Sequence, residues 1–235
     1  MTVLSIETAT AVCGVALVRD GTTLLEQSLE ARHLHAERLL GMIDRTLGEA
    51  ALTVREPDGI AVSIGPGSFT GLRIGLSVAK GLVFGLGKPL AAVPTLEALA
   101  WRLVTGSASE APRYILATLD ARRDEVYCQL FNHTGPGLQA AGEPEDLSVA
   151  AVVARLRGKQ VLLTGDGAEK VLSAAPANSG LSCVEPDLRR CSAATVGLLG
   201  ERLLQSGRGS DPATLEPRYV KEFFLRTRTS HKEGE

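Results

Sequence analysis

The first third of the chain alternates apolar runs with short polar breaks, and this pattern predicts strands. Residues 3–6 and 12–18 are apolar runs, and residues 23–29 follow after Asp20-Gly21, a dipeptide typical of a tight hairpin turn. The hydrophobic period then becomes helical, because the next apolar positions fall on one helix face: Leu40, Ile43, Leu47 and Ala51. The segment therefore predicts three strands and a helix.

A second strand-rich pattern follows directly. Residues 60–64 form a short apolar run that enters the sequence Gly65-Pro66-Gly67-Ser68-Phe69-Thr70-Gly71-Leu72-Arg73. A long apolar helix then runs to about Gly85, and residues 90–93 form another short strand. The predicted order for this part of the chain is βββαβαβ.

The second half repeats the plan of the first in a weaker form. A strand at 114–119 ends in Asp120, residues 121–124 turn, and a strand at 125–131 returns; later, residues 161–164 enter Gly165-Asp166-Gly167. Strand, terminal acid, turn and strand also describe the region around Glu7. The pattern predicts an α/β protein of two duplicated ribonuclease H-like lobes, residues 1–106 and 107–235. The C-terminal segment could pack back on the first lobe.

The sequence between these strands predicts loops and linkers. Residues 132–146 and 173–187 are rich in proline, glycine and small residues, and we expect loops there. Residues 103–113 are the best candidate for an inter-lobe linker. The polar tail from about Ser230 is expected to fray.

Composition narrows the class of protein. With 44% hydrophobic and 22% charged residues the chain can bury a core, and a net charge of -2 argues against a broad basic surface for nucleic acid. The four cysteines form no C-x-x-C pair, which favours buried thiols in a reducing compartment. We expect no signal peptide and no membrane span, and hence a cytoplasmic protein.

The segment from Gly65 to Arg73 looks at first like a phosphate loop. Its spacing fails the Walker A, dinucleotide-binding and nucleophile-elbow patterns. A rigid turn with Ser68 as N-cap is the structural interpretation, although the free N–H groups of a helix start can also hold an anion. The residues that could contact a nucleotide or anion are Glu7, Thr8, Gly67, Ser68 and Asp120.

The helix after this turn is apolar almost all round, which requires burial on more than one side. Gly71, Gly75 and Ala79 are spaced by four and form a smooth ridge that another helix could approach closely. A second helix of this chain or a partner subunit could cover the ridge, and we favour the partner.

Several segments resemble the TsaB (YeaZ) family. They are Ser5-Ile6-Glu7-Thr8-Ala9-Thr10, Gly65 to Arg73, Ala79-Lys80-Gly81-Leu82, Asp120-Ala121-Arg122-Arg123-Asp124-Glu125-Val126-Tyr127 and Pro217-Arg218-Tyr219-Val220. This family is the accessory subunit in bacterial synthesis of threonylcarbamoyladenosine on tRNA. The resemblance implies the actin/Hsp70/sugar-kinase fold. One departure is Glu7, where the family commonly has Asp.

The resemblance also implies partners. They are a TsaD-type catalytic paralogue, a TsaE-type ATPase and a second copy of the chain, with tRNA reached indirectly through the complex. In this family the dimer surface is built from first-lobe helices. The matching positions here are His33, Glu37, Leu40, Phe69, Leu72, Arg73, Gly75, Leu76 and Ala79.

The same resemblance predicts that the chain is not catalytic. The paralogue carries two metal-binding histidines four residues apart, and the matching positions here are Thr95 and Leu99, neither of which can replace an imidazole ligand. We therefore expect no metal and no cofactor bound by this chain alone, with ATP and metal used by the partner subunits.

Two smaller sets of residues have less specific interpretations. His33 and His35 are expected at a surface or interface. The turn at Arg122-Arg123 is expected to form a local set of ion pairs, or else to contact a partner or nucleotide. The alternative function is an ATP-dependent phosphotransferase of the sugar-kinase type. Its support is the duplicated plan, Gly165-Asp166-Gly167, Glu7 and Asp120.

Overall fold

Five strands of the first half form one mixed sheet. The computed structural model describes residues 1–30, 35–104, 114–134 and 137–220. The hairpins β1–β2 and β2–β3 are antiparallel, β1, β4 and β5 are parallel, and the order across the sheet is β3-β2-β1-β4-β5. The strands are β1 (Thr2–Glu7), β2 (Val12–Arg19), β3 (Thr22–Glu30), β4 (Gly59–Gly65) and β5 (Leu90–Pro94). The predicted strands and their order are confirmed, as is the Asp20-Gly21 turn, whose two residues have φ of 51° and 75°.

Two helices cover one face of this sheet. Helix α1 (His35–Glu49) buries Leu39, Ile43 and Leu47 against the sheet, in keeping with the helical period of the sequence. Helix α2 (Phe69–Leu86) begins at Ser68, whose side chain accepts a hydrogen bond from the N–H of Gly71, and ends at Gly87 in the left-handed conformation. Ser68 is thus the N-cap that the sequence predicts.

The second half forms another sheet with the same topology. Its order, β11-β10-β6-β7-β8, places an antiparallel pair beside a parallel set as in the first sheet, and β9 also pairs with β7. Helices α4 (Val149–Arg155) and α5 (Ala168–Ser173) pack on one face. The strands are β6 (Tyr114–Asp120), β7 (Glu125–Thr134), β8 (Gly137–Ala140), β9 (Glu145–Ser148), β10 (Val161–Thr164) and β11 (Leu181–Cys183).

The two lobes exchange their last helices. Helix α3 (Thr95–Val104) packs on β6, β7 and β8, whereas α6 (Ala193–Gln205) packs on all five strands of the first sheet. Alternate residues of β1 show the two faces, because Leu4 belongs to the core under α1 and α2 and Val3 to the core under α6. Each sheet is therefore covered on both faces.

Some sequence predictions require correction. Residues 132–146 contain the end of β7 together with β8 and β9, and residues 173–187 contain β11 and the start of a 3-10 helix at Pro186–Arg189, so neither region is only loop. Most of the predicted linker and all of the predicted frayed tail lie outside the described residues. The four cysteines are free thiols, and Cys13, Cys128 and Cys191 are buried, as expected.

Helix α2 has the length and hydropathy of a membrane span, although the sequence predicts none. Its 18 residues have a mean hydropathy of 1.3, so by length and composition alone it could cross a membrane. Core helices pass the same test, and α2 packs on β1, β4 and β5.

The backbone conformation at the end of α1 predicts the effect of a glycine substitution on stability. The sequence predicts Ala51 on the apolar face of α1, but Ala51 lies just after the helix and has a φ of 53°. The helix ends here because the N–H groups of Ala51 and Leu52 donate to the carbonyls of Gly48 and Leu47. Ala51→Gly is expected to raise the free energy of unfolding by about 1 kcal/mol, since glycine adopts this conformation without strain. Urea denaturation measures the change. Ala50→Gly, one residue earlier, should lower stability, and an equal effect at both positions would contradict this account.

Candidate functional site

The start of α2 packs directly on the loop after β1. A Cβ atom at Gly67 would overlap the carbonyl oxygen of Ala9, and one at Gly71 would overlap that of Thr8. At Gly75 it would overlap the hydroxyl of Thr8, which donates a hydrogen bond to the carbonyl of Gly71 at 2.9 Å. The three glycines, spaced by four, are therefore needed for contact within the chain.

This packing corrects the prediction that a partner covers the glycine ridge. Gly71 and Gly75 are buried against residues of β1 and its following loop. Three further proposed interface residues are 0%, 5% and 0% exposed and belong to the protein's own interior: Leu72, Leu76 and Ala79. The first of the two alternatives, coverage by the same chain, is the one the structure shows.

The opposite side of the helix layer is exposed and partly apolar. Leu40 of α1 is 57% exposed and Phe84 of α2 is 63% exposed, the two largest values among the exposed large hydrophobic residues identified in the described ranges. A Cβ at Gly81 would meet nothing within 4 Å. We define the outer helix face by its exposed residues Leu40, Arg73, Ser77, Gly81 and Phe84.

Arg73 and Phe69 lie at the start of this face and contact the C-terminal part of the described chain. The Arg73 guanidinium carbon lies 3.8 Å from the centroid of the Phe69 ring, and its Nε–H donates to the hydroxyl of Tyr219 at 3.0 Å. The rings of Phe69 and Tyr219 are 5.1 Å apart. Of the other proposed interface residues, Glu37 is exposed on α1 and His33 lies outside the described residues.

Sequence reasoning missed Phe84 and the role of Tyr219. The positions 73, 77, 80 and 84 follow the spacing of one helix stripe, which would have connected Phe84 with Arg73. Tyr219 lies 146 residues from Arg73, so no local pattern indicates their contact.

Glu7 is the last residue of β1, and its side chain faces no solvent. Its side chain is 0% exposed, Oε1 accepts from the N–H of Ala9 at 2.5 Å, and Oε2 has no hydrogen-bond partner among the described residues. Burial raises the pKa of this carboxyl to about 7. Thr8 is also 0% exposed. The structure thus corrects the prediction that these two side chains contact a nucleotide or anion.

The buried carboxyl predicts a pH dependence of stability. Because the folded-state pKa of Glu7 is raised from 4.5 to about 7, the native state binds more protons than the unfolded state in this range. Stability from this group is therefore complete below about pH 4.5 and lost as the pH rises to about 7, on the order of 3 kcal/mol. Glu7→Gln should remove this loss.

Denaturation of both proteins from pH 4.5 to 8 tests this expectation, and the difference between them isolates Glu7 from other titrating groups. The variant is expected to gain on the wild type as the pH rises through this window. A constant difference would contradict the account.

Asp120 ends β6, the counterpart of β1, and is already paired. Its Oδ1 lies 2.9 Å from Lys170 Nζ and accepts from the N–H of Arg122, and its own N–H donates to Asp166 Oδ1 at 2.8 Å. A Cβ at Gly165 would overlap the carbonyl oxygen of Thr118. The glycine of this turn is therefore explained by packing on β6.

Gly67 and Ser68, the remaining predicted anion contacts, serve the start of α2. Gly67 packs on Ala9, and Ser68 caps the helix while its N–H donates to the carbonyl of Ala9 at 2.6 Å. Thr95 is 0% exposed and its hydroxyl accepts from the N–H of Gly65 at 3.1 Å, and Leu99 is in the core beneath the second sheet. Across the described ranges, no group of three or more metal-ligating side chains lies together.

One surface groove contains none of these residues. Its volume is about 800 Å³, and it lies between the β2–β3 turn and helices α3 and α6. In its wall the carboxylate of Glu201, which is 2% exposed, accepts from the N–H groups of Asp20 and Gly21 at 2.8 and 2.7 Å. Glu201 thus ties α6 to the β2–β3 hairpin.

Comparisons with known proteins agree with this architecture. A family model described as TsaD, tRNA N6-adenosine threonylcarbamoyltransferase, matches residues 28–195. The chain is 36% identical over 148 residues to the Escherichia coli tRNA threonylcarbamoyladenosine biosynthesis protein TsaB, and 37% over 127 residues to the Haemophilus influenzae protein of that name. The matches span 61% and 52% of those relatives, less than two thirds of either.

Solved structures extend the likeness to nearly the whole chain. YeaZ from Pseudomonas aeruginosa superposes with a TM-score of 0.80 at 30% identity, covering 93% of this chain and 99% of that one. A polyphosphate/ATP-glucomannokinase from Arthrobacter has a TM-score of 0.52 at 10% identity, covering 87% of this chain and 99% of that one, which shows a shared fold alone. The predicted actin/Hsp70/sugar-kinase fold with two ribonuclease H-like lobes is confirmed.

Proposed function

Because the chain belongs to the TsaB (YeaZ) family, we propose that it is a non-catalytic subunit in the synthesis of threonylcarbamoyladenosine on tRNA. It binds a TsaD-type catalytic paralogue through the outer helix face and activates it. Curated relatives carry the name of this pathway, which supports the role. In the absence of the paralogue, a second copy of the chain takes the same face.

The observation that carries the proposal is the exposure of Leu40 and Phe84. Large apolar side chains on adjacent helices lose unfavourable contact with water when a partner covers them. Gly81, an exposed residue of α2 with no side chain, lets a partner helix approach closely. Aromatic residues with apolar neighbours are typical of the core of a protein interface.

Catalysis by this chain alone has little support from the residues that the sequence offered for it. Glu7 and Thr8 are buried, Asp120 is paired with Lys170, and Gly165 fits closely on β6. We propose that ATP and a metal are bound by the partners, including a TsaE-type ATPase, and that tRNA is reached through the complex. The protein works in the cytoplasm, where the complex modifies tRNA.

Reconstitution tests the proposal. The TsaD-type paralogue, the TsaE-type ATPase, tRNA and a source of threonylcarbamoyl groups are incubated with and without this chain, and modified adenosine is measured by mass spectrometry. Modification that requires the chain supports the proposal. Equal modification without it contradicts an activating role, and ATP hydrolysis or sugar phosphorylation by the purified chain alone would favour the phosphotransferase alternative.

A further inference from the structure

We propose that Arg73 is a preorganised anchor for a carboxylate of the partner protein that docks on the outer helix face. The inference rests on the proposed function and adds the chemistry of the contact: an aspartate or glutamate of the partner binds the guanidinium of Arg73. Tyr219 acts as a positioning residue for that guanidinium.

The side chain of Arg73 is held in one place although it is exposed. Phe69 supports the guanidinium face at 3.8 Å, and the hydroxyl of Tyr219 accepts from Nε–H at 3.0 Å. An arginine side chain free in water loses considerable rotamer entropy on binding, and these contacts remove part of that cost in advance. Arg73 is therefore better suited to bind a group of a partner protein than an arginine that moves freely on the surface.

Tyr219 is in turn fixed to the end of β4. The N–H of the preceding residue, Arg218, donates to the carbonyl of Ile64 at 2.6 Å, and a Cβ at Gly65 would overlap the Arg218 carbonyl. The guanidinium of Arg218 forms an ion pair with Glu143 of the second lobe. Contacts from both lobes thus place the ring of Tyr219 beside α2.

The remaining donors of Arg73 determine the kind of partner group. No ion pair joins Arg73 to a carboxylate within residues 1–30, 35–104, 114–134 and 137–220, and the hydroxyl of Tyr219 accepts from its Nε–H. The two terminal nitrogens can bind a planar carboxylate through two parallel hydrogen bonds.

The neighbours of Arg73 favour a protein over a nucleic acid as the source of this carboxylate. Arg73 shares its stripe with Ser77, Lys80 and Phe84, so one further cation and an aromatic ring lie along it rather than a cluster of cations, and the chain has a net charge of -2. Phe84 lies eleven positions after Arg73 on the helix, a rise of about 16 Å at about 1.5 Å per residue. The partner should therefore present an acid and an apolar pocket about 16 Å apart.

Binding of variants to the purified TsaD-type paralogue tests the anchor, with calorimetry giving the Kd. Arg73→Lys keeps the charge but loses the planar fork, and we expect about tenfold weaker binding. Tyr219→Phe removes only the hydroxyl, and we expect about threefold weaker binding. Because Tyr219 acts through Arg73, the double variant should bind no more weakly than Arg73→Lys. Arg157→Lys, an exposed change in the second lobe, is the matched control and should bind like the wild type.

Salt provides a second measurement. Binding of the wild type should weaken more steeply with added NaCl than binding of Arg73→Gln, because the variant lacks the charged pair. Wild-type affinity in Arg73→Lys, or independent effects of Arg73 and Tyr219, would overturn the anchor while leaving the docking face intact. Loss of the Arg73 effect in a chain ending at Val220 would place the carboxylate in residues 221–235 and also overturn it. Failure of the wild type to bind overturns both proposals.

Discussion

Replacing Phe84 with arginine is expected to weaken binding of the TsaD-type paralogue by about a hundredfold. The side chain is 63% exposed, so the charged substitute remains hydrated in the free protein. In the complex the guanidinium would lie in an apolar contact with no acidic group to pair with it, and the burial of the aromatic ring would be lost. Calorimetry or surface plasmon resonance measures the Kd.

Leu188→Arg is the matched control for this substitution. Leu188 is also an exposed large hydrophobic residue, 38% accessible, but it lies in the 3-10 helix of the second lobe. Its arginine variant should bind like the wild type, and both variants should melt within a few degrees of it. Equal loss of binding in both variants would indicate a general effect of added charge and contradict the assigned face.

Gly71→Ala is expected to lower the free energy of unfolding by about 3 kcal/mol or more. The added methyl group would overlap the carbonyl oxygen of Thr8, a backbone atom that cannot rotate away. Relief requires α2 to move off the β1 loop, which disturbs the hydrogen bond from Thr8 to Gly71. Urea denaturation of the purified variant measures the loss.

Gly81→Ala on the same helix separates packing from helix propensity. A methyl group there meets no atom within 4 Å, so the variant should gain up to about 1 kcal/mol from the better helix propensity of alanine. Opposite signs at the two glycines are the expected result. Unchanged stability of Gly71→Ala would show that the contact with Thr8 does not require a glycine, and equal losses at both positions would point to a general effect of the added methyl group.

The fold was accessible from sequence where the hydrophobic pattern was strong. Buried strands such as β1 follow from short apolar runs, the amphipathic α1 follows from a period of 3.6 residues, and Asp20-Gly21 predicts its turn by conformation. The short strands β8 and β9, of four residues each, escaped because they carry few apolar side chains and are flanked by proline and glycine. Their pairing with β7 is a tertiary effect.

The interface residues predicted on α2 are divided between its two sides, because Arg73 is exposed whereas Leu72, Leu76 and Ala79 are buried within the protein. Spacing shows that Gly71, Gly75 and Ala79 share a face, but it cannot show which segment covers that face. The structure shows that Thr8, more than 60 positions earlier, meets the first two. The exposure of Phe84 was likewise not evident, because an apolar residue in an apolar helix can be either buried or exposed.

Hydrogen–deuterium exchange on mixing with the TsaD-type paralogue tests the docking face most directly. Peptides covering His35–Glu49 and Phe69–Leu86 are compared in the free chain and in the complex, with peptides of β9 and α4 as an internal reference. Our account predicts slower exchange in α1 and α2 and little change in β9 and α4. Binding accompanied by protection only in the second lobe, with α1 and α2 unchanged, would contradict it.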